Sequence, residues 1–255
     1  HWNDASASAT QWNQWKNNWN TYSSNYEHVS LTPGADQTQL NLAWYSHTTE
    51  TPAVRIATKQ NMDGAKEFVG TQTEAVTIDG VKYFSNKATV KGLKENTKYY
   101  YQVFQNGKWQ DAETYTTKSF DSFSFLYVGD PQIGASKNQT STEQEKMVSA
   151  GNEVSSAAKD NLAARNDGYN WNNILNDAVK DHEDVSFIVS AGDQVNAGKN
   201  EREYAAYLGA DALASLPVAT TIGNHDSVSN QYTLHFNNPN AFSDKDANYI
   251  QGKTE

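Results

Sequence analysis

The sequence contains no cysteine, and this absence narrows the chemistry that the chain can carry out. Without thiols there are no disulfide bonds, no thiolate nucleophile and no thiolate ligand for a metal. Any metal site must therefore be built from carboxylate, imidazole and amide groups together with water.

Basic clusters and long apolar runs are also missing. The 255 residues carry 20 Lys and Arg against 30 Asp and Glu, a formal net charge of -10, with no dense group of positive charges. Nucleic-acid binding depends on such a group, so we expect no nucleic-acid partner. No stretch approaches the roughly 18 apolar residues of a membrane helix, and the first residues lack the charged and apolar regions of a signal peptide. We therefore expect no membrane span.

The pattern of the remaining residues changes along the chain and predicts two domains. Residues 26–119 consist of short alternating runs such as TQLNLAWYS and KYYYQVF, separated by turn signals, which is typical of an all-β sandwich. Residues 120–255 alternate apolar strands with helical stretches, which predicts an α/β domain with a parallel sheet. The chain is long enough to bury a core in each domain.

Two other segments have a distinct composition. Residues 1–25 are expected to be a helical or extended segment with three tryptophans on one helical face, which docks on the sandwich or forms a carbohydrate-binding stripe. These tryptophans are Trp12, Trp15 and Trp19. Residues 141–168 are rich in Ser, Asn and Ala and are expected to form an exposed, partly helical insertion, followed by an amphipathic helix at 169–182.

Three predicted strands of the second domain end in polar residues. The runs FSFLYVGD and VSFIVSAGD end at Asp130 and Asp193, and PVATT leads into IGNHD, which contains Asn224 and His225. Because the carboxyl ends of parallel strands meet at one edge of a sheet, we expect these side chains to share one crevice. Two carboxylates this close repel each other, and a pair of cations relieves that repulsion. The preceding glycines, at positions 129, 192 and 223, are expected to let the backbone turn sharply.

The motifs GDPQ, GDQVN and GNHD resemble the first three blocks of the calcineurin-like metallophosphoesterases. The run KATVKGLKENTKYYYQV is similar to the end of the N-terminal fibronectin III-like sandwich of the purple acid phosphatase-like group. The resemblance implies an αββα catalytic domain with a dinuclear metal centre and a metal-bound hydroxide that attacks phosphorus. It implies that Asp130 binds the first metal, Asp193 bridges both and Asn224 binds the second. His225 is then the catalytic residue that contacts the phosphate or protonates the leaving group.

Some positions depart from the family pattern. Gln132 stands where many members have a metal-binding histidine, and Asn196 stands where the purple enzymes have a tyrosine. Both are auxiliary ligand candidates, and the cofactor is expected to be two divalent or trivalent ions of Fe, Mn or Zn. The family's later histidine blocks do not occur before Glu255, which makes His235 a further auxiliary candidate. We therefore expect a catalytic domain that is C-terminally incomplete, and that a further segment or a second copy completes.

The resemblance implies a phosphomonoesterase of the acid phosphatase type that acts on phosphorylated small molecules and is secreted or located at the cell surface. A phosphodiesterase or nucleotidase is the alternative among enzymes, because the strand-end residues define a reaction centre and not a substrate. A cell-surface binding module with a degenerate metal site is the alternative outside them, and Gln132 and Asn196 favour it. The presence of Asp130, Asp193 and His225 favours the enzyme, although residues 1–255 alone are expected to be weakly active or inactive.

Overall fold

The computed structural model describes residues 9–139, 142–151 and 154–240. The strands in these ranges are β1 (Ser30–Pro33), β2 (Leu40–Ser46), β3 (Ala53–Ala57), β4 (Lys66–Val69), β5 (Thr71–Ile78), β6 (Val81–Val90), β7 (Lys98–Gln105), β8 (Lys108–Trp109), β9 (Glu113–Thr116), β10 (Ser124–Val128), β11 (Val185–Ser190) and β12 (Val218–Thr220). The α-helices are α1 (Ala9–Tyr22), α2 (Thr142–Ser149), α3 (Ser156–Asp181), α4 (Glu201–Leu208) and α5 (Gln231–His235). None of these helices has both the length and the apolar character that crossing a bilayer requires.

The first nine strands form a sandwich of two antiparallel sheets. One sheet has the order β1-β2-β6-β5, and the other runs β4-β3-β7-β8 with β9 also paired to β7. Apolar side chains from both sheets, among them Leu42, Trp44, Val54 and Tyr101, form one buried core. Removal of this apolar surface from water is the main force that holds the sheets together. The predicted all-β domain is confirmed.

The next three strands form a parallel sheet in the order β10-β11-β12, as predicted for an α/β domain. Residues of α3 and α4 share a core with this sheet, in which Leu175 and Tyr204 lie in the same cluster as Ile188 of β11. Phe125 and Tyr127 of β10 do not join this core and are 49% and 70% exposed. One face of the sheet is therefore covered by helices, and the other shows aromatic side chains to solvent.

Helix α3 differs from the expected exposed insertion. It runs without interruption from Ser156 to Asp181, and its buried residues include Ala164, Gly168 and Trp171. A Cβ atom on Gly168 would lie only 2.9 Å from the Cβ of Ala206 in α4, so this glycine allows the two helices to approach closely. The small and amide side chains that looked like a solvated insertion therefore line a close helix contact.

Helix α1 packs on the α/β domain, so the prediction that its tryptophan face docks on the sandwich was wrong. The indole N–H of Trp15 donates to the carbonyl oxygen of Arg165 at 2.9 Å, and that of Trp19 donates to Asn161 Oδ1 at 2.8 Å. Both rings are buried in the core that contains α3 and α4, so they do not present a stripe at the surface. Residues 1–8 of the predicted N-terminal segment lie outside the described residues.

The segment after α5 fastens the α/β domain to the sandwich. The carbonyl oxygen of Asn237 accepts hydrogen bonds from the side chains of Thr32 and Asn41, at 2.8 Å each. Its side-chain amide donates to the carbonyl oxygens of Leu42 and Ala88 at 3.3 and 3.2 Å. We call this set of contacts the Asn237 clasp, and it joins one residue of the second domain to three strands of the first.

Candidate active site

The loops that follow β10 and β11 lie side by side at the carboxyl edge of the parallel sheet. The backbone N–H of Gln132 donates to the backbone carbonyl oxygen of Asp193 at 2.8 Å, and that of Ile133 donates to the backbone carbonyl oxygen of Gln194 at 3.2 Å. In return, the N–H of Asn196 donates to the oxygen of Ile133 at 2.9 Å. Strand-like pairing thus continues beyond the strands and makes the GDPQ and GDQVN loops neighbours.

The loop that follows β12 meets the same edge through Asp193. The backbone N–H of His225 donates to Asp193 Oδ1 at 2.8 Å. The side chain of Asp193 is otherwise largely buried, whereas those of Asp130 and Asn224 are exposed. Loops that are distant in sequence are therefore joined around Asp193, as the strand-end pattern predicts. Its bridging role, like the ligand roles of Asp130 and Asn224, stays a prediction.

Three residues of these loops have a left-handed backbone although none is glycine. The φ angles are 48° at Asp130, 38° at Gln132 and 51° at Asp193. This region is sparsely populated because the Cβ atom crowds the backbone, at a cost on the order of 1 to 2 kcal/mol for each residue. Strained residues that cluster in adjacent loops are typical of functional sites.

Two of the three motif glycines are explained by close backbone contacts. Gly192 has a φ of 108°, and a Cβ atom on it would lie 2.9 Å from the Cα of Gly223. A Cβ on Gly223 would overlap the carboxylate of Asp193. Gly129 does not follow this expectation, since its nearest neighbour for a Cβ is Ala191 at 3.5 Å and the left-handed turn falls on Asp130 instead.

Asp226 organises the site, although the sequence did not single it out as a site residue. It is fully buried, and its Oδ2 accepts the backbone N–H of Gly223 at 2.9 Å while its Oδ1 accepts that of Gln194 at 3.1 Å. Burial raises the pKa of the Asp226 carboxyl, and these hydrogen bonds oppose that effect. Asp226 thus connects the loop after β11 to the loop after β12. The sequence signal for this residue was its place as the last residue of the GNHD motif.

The imidazole of His225 is held between two residues of the neighbouring loops. Its Nδ1 donates to the carbonyl oxygen of Asn196 at 2.6 Å, because a carbonyl can only accept. Its Nε2 lies 3.0 Å from Gln132 Nε2, which also donates to Asn196 Oδ1 at 3.3 Å. The neutral ring therefore carries its proton on Nδ1, and Nε2 accepts from the amide. The side chain of Gln132 thus contacts both the side chain of Asn196 and the imidazole, whereas Asn196 contacts the imidazole through its backbone carbonyl oxygen.

Two carboxylates, one partly buried and one fully buried, support these loops from behind. Asp167 of α3 accepts the backbone N–H groups of Gly134 and Ser136 at 2.9 and 3.1 Å, and burial raises its pKa. Glu203 of α4 is 2% exposed and accepts the N–H of Ala197 at 2.6 Å. Burial raises the pKa of Glu203 to about 7, against the opposing effect of its hydrogen bonds. Neither acid was singled out in the sequence, because its role appears only when the loops meet.

His235 has different neighbours from those expected of an auxiliary metal ligand. It is buried at the contact between the domains, and its Nε2 lies 2.7 Å from Glu201 Oε2. Its ring is stacked between those of Tyr45 and Tyr204, with centroids 4.4 Å away on each side. These contacts place His235 at the domain interface.

The side chains at this edge are of the chemical type that binds oxygen-preferring cations. The described residues supply too few of them to complete a cation site. Asp130, Asp193 and Asn224 offer carboxylate and amide oxygens, which suit hard divalent cations. Within the described residues, the side chains of Asp130 and Asn224 have no hydrogen-bond partner, so their oxygens face solvent without competition. The same residues contain no group of three or more His, Asp or Glu side chains close enough to hold an ion. They supply part of a ligand set.

The motif edge is open to solvent and is not a closed cavity. A cleft of about 310 Å³ lies elsewhere, between the sandwich and the sheet, and Tyr115, Phe123 and Phe187 are among the residues that line it. The motif loops do not line this cleft. We therefore assign the candidate active site to the carboxyl edge of the parallel sheet, where residues with a left-handed backbone and converging polar side chains occur together.

Comparison with known proteins identifies both domains. Residues 26–117 match the family described as "Purple acid Phosphatase, N-terminal domain", and residues 123–253 match "Calcineurin-like phosphoesterase". No curated protein matches the sequence.

One solved structure, that of a purple acid phosphatase, shows the same fold. The structure of a purple acid phosphatase from yellow lupin (Lupinus luteus) seeds is 13% identical with a TM-score of 0.57, covering 85% of this chain and 41% of that one. A PhoD structure is 11% identical with a TM-score of 0.42, covering 79% of this chain and 40% of that one. The chain thus spans less than half the length of these proteins. Its second domain, with the strand-end motifs described above, places the chain in the calcineurin-like phosphoesterase family.

Proposed function

We propose that this protein is a metal-dependent phosphomonoesterase that resembles the acid phosphatases in its choice of small phosphorylated substrates. The main support is the junction of three loops around Asp193, with Asp130 and Asn224 exposed beside it and His225 fixed in one tautomer. The family match and the fold of the lupin phosphatase support the same reaction class.

Each residue of the edge has a distinct part in the proposed reaction. Two cations, when bound, would supply Lewis-acid activation of water and of the phosphoryl oxygens. Asp130 and Asn224 would each hold one ion, and Asp193 would contact both. Once the substrate displaced the Gln132 amide from it, Nε2 of His225 would bind a phosphate oxygen or exchange a proton with the leaving group. Gln132 and Asn196 would orient this imidazole and are not proposed as ligands.

Further ligands must come from outside the described residues, because two ions need more donors than these residues bring together. We propose that a further segment of the protein, or a second copy, supplies them and covers the exposed aromatic face of β10. Iron, manganese and zinc are all compatible with this donor chemistry, although no tyrosine stands at position 196 to favour ferric iron.

A binding module with a degenerate metal site is the second candidate. It is favoured by the hydrogen bond between the side chains of Gln132 and Asn196, because these two amides bind each other where many family members have metal ligands. The two candidates differ in turnover and in the effect of metals.

Metal binding and turnover test the proposal together. In a protein that includes the further segment, titration with Mn²⁺ or Zn²⁺ is combined with hydrolysis of an aryl phosphate, for wild type, Asp193→Asn and the exposed-helix control Asp177→Asn. We expect metal-stimulated hydrolysis that Asp193→Asn lowers by at least about a hundredfold, since one residue serves both ions, and that Asp177→Asn leaves unchanged. Metal binding without hydrolysis would support the binding module, and equal activity in all three proteins would overturn the assignment of Asp193.

A further inference from the structure

One peptide group in the site is hydrogen-bonded to a buried acid on one side and to the candidate catalytic histidine on the other. The group joins Asn196 to Ala197. Its N–H donates to Glu203 Oε2 at 2.6 Å, and its carbonyl oxygen accepts from His225 Nδ1 at 2.6 Å. Hydrogen bonds in such a chain polarise one another, so a carboxylate at the N–H strengthens the carbonyl as an acceptor.

We propose that Glu203 is a positioning residue for His225 and acts through this peptide group. The carboxylate fixes the peptide plane, the peptide carbonyl fixes Nδ1–H, and Nε2 is thereby left unprotonated beside the Gln132 amide. Which ring nitrogen of a histidine carries the proton is set by the hydrogen bond that the other nitrogen makes. Carboxylates that contact histidine directly have the same effect, and here a single peptide unit stands between the two groups.

The surroundings of Glu203 hold its carboxylate in this one place. Oε1 accepts from Asn200 Nδ2 at 2.9 Å, and Asn200 itself caps the start of α4 by accepting the N–H of Arg202. A Cβ atom on Gly134 would overlap the Glu203 carboxylate, so the β10 loop packs directly on it. Within the described residues Glu203 forms no ion pair, and its charge is stabilised by N–H donors alone.

Helix α4 contains a second buried glutamate that serves as a matched control. Glu201 lies two residues earlier, is buried to a similar degree and has a carboxylate that bonds Tyr45 and His235. It does not contact the Asn196–Ala197 peptide. Glu201→Gln therefore removes a buried charge from the same helix without touching the route to His225, whereas Glu203→Gln removes the charge on that route at nearly constant volume.

The experiment measures the tautomer and proton exchange of His225 by ¹⁵N NMR, without metal or substrate, at a pH above the pKa of about 7 of Glu203, where that residue is a carboxylate. We expect wild type and Glu201→Gln to hold the proton on Nδ1. In Glu203→Gln and Glu203→Ala we expect a mixture of tautomers and faster proton exchange. Folding is checked by circular dichroism, and if Glu203→Ala does not fold, Glu203→Gln decides the matter. An unchanged tautomer and exchange rate in folded Glu203→Gln would overturn the inference.

The part that concerns turnover rests on the proposed function and is tested separately. With Mn²⁺ and an aryl phosphate, we expect Glu203→Gln to lower kcat by about 10- to 100-fold at nearly constant KM, and Glu201→Gln to leave kcat within a few-fold of wild type. In the protein that includes the further segment, an inactive wild type would refute the proposed function while the NMR result still decides the role of Glu203. An active wild type with unchanged kcat and tautomer in Glu203→Gln would refute the positioning role alone.

Discussion

Removal of the His225 side chain should separate catalysis from metal binding. The imidazole is fixed through Nδ1 and directs Nε2 towards the edge, so His225→Ala is expected to lower kcat by roughly a hundredfold or more. Metal content, measured by mass spectrometry, should stay close to that of wild type because Asp130, Asp193 and Asn224 are intact. His47→Ala, on the sandwich, serves as the control. Loss of the metals in His225→Ala would make His225 a ligand and contradict the role assigned to it.

At the domain interface, His28 should make the protein less stable in acid. Burial, together with the nearby His235, lowers the pKa of His28 from 6.5 to about 4. Between these values the unfolded chain binds more protons than the folded one, so stability is lost as the pH falls from about 6.5 to about 4. We expect His28→Gln to reduce this loss by on the order of 2 kcal/mol in urea unfolding at both pH values. The exposed His182→Gln is the control, and equal pH dependence in wild type and His28→Gln would contradict the expectation.

Among the elements, α3 depends most closely on a single small residue. Gly168 faces Ala206 with no room for a side chain, so Gly168→Val should force the two helices apart. We expect a loss of about 1 to 3 kcal/mol in the free energy of unfolding, measured with urea. Asp177→Val places the same β-branched residue at an exposed position of α3 and should change stability by less than about 1 kcal/mol. Equal losses in the two variants would mean that helix propensity, and not the close contact, sets the effect.

The elements also differ in how far the sequence predicts them. Apolar runs that end in Asp130, Asp193 and IGNHD identify the parallel strands, because each strand is a local pattern with a polar end. The buried half of α3 was missed because small and amide residues read as solvated unless their partner helix is known. The role of Glu203 depends on contacts between loops far apart in sequence, and a single sequence contains no signal for it.

For the whole molecule, the exposed face of β10 predicts self-association of the chain. Phe125 and Tyr127 lie beside Phe187 on a surface that no described residue covers, and burial of apolar area contributes roughly 25 cal/mol for each Å². Sedimentation should show association that the double variant Phe125→Ser, Tyr127→Ser weakens at least about tenfold. Val69→Ser, at an exposed strand of the sandwich, should not change it. A wild type that stays monomeric at high concentration would contradict this use of the face.

The Asn237 clasp connects the sandwich to the chain segment that carries His225. On one side of His225 the chain is anchored in β12, and on the other side it is bonded to the sandwich through Asn237 and through the hydrogen bond from Ser85 to the carbonyl oxygen of Leu234. Separation of the two domains would therefore have to break these hydrogen bonds. The segment that carries His225 has one anchor in each domain, so its two ends keep their relative positions only while the domains stay packed together.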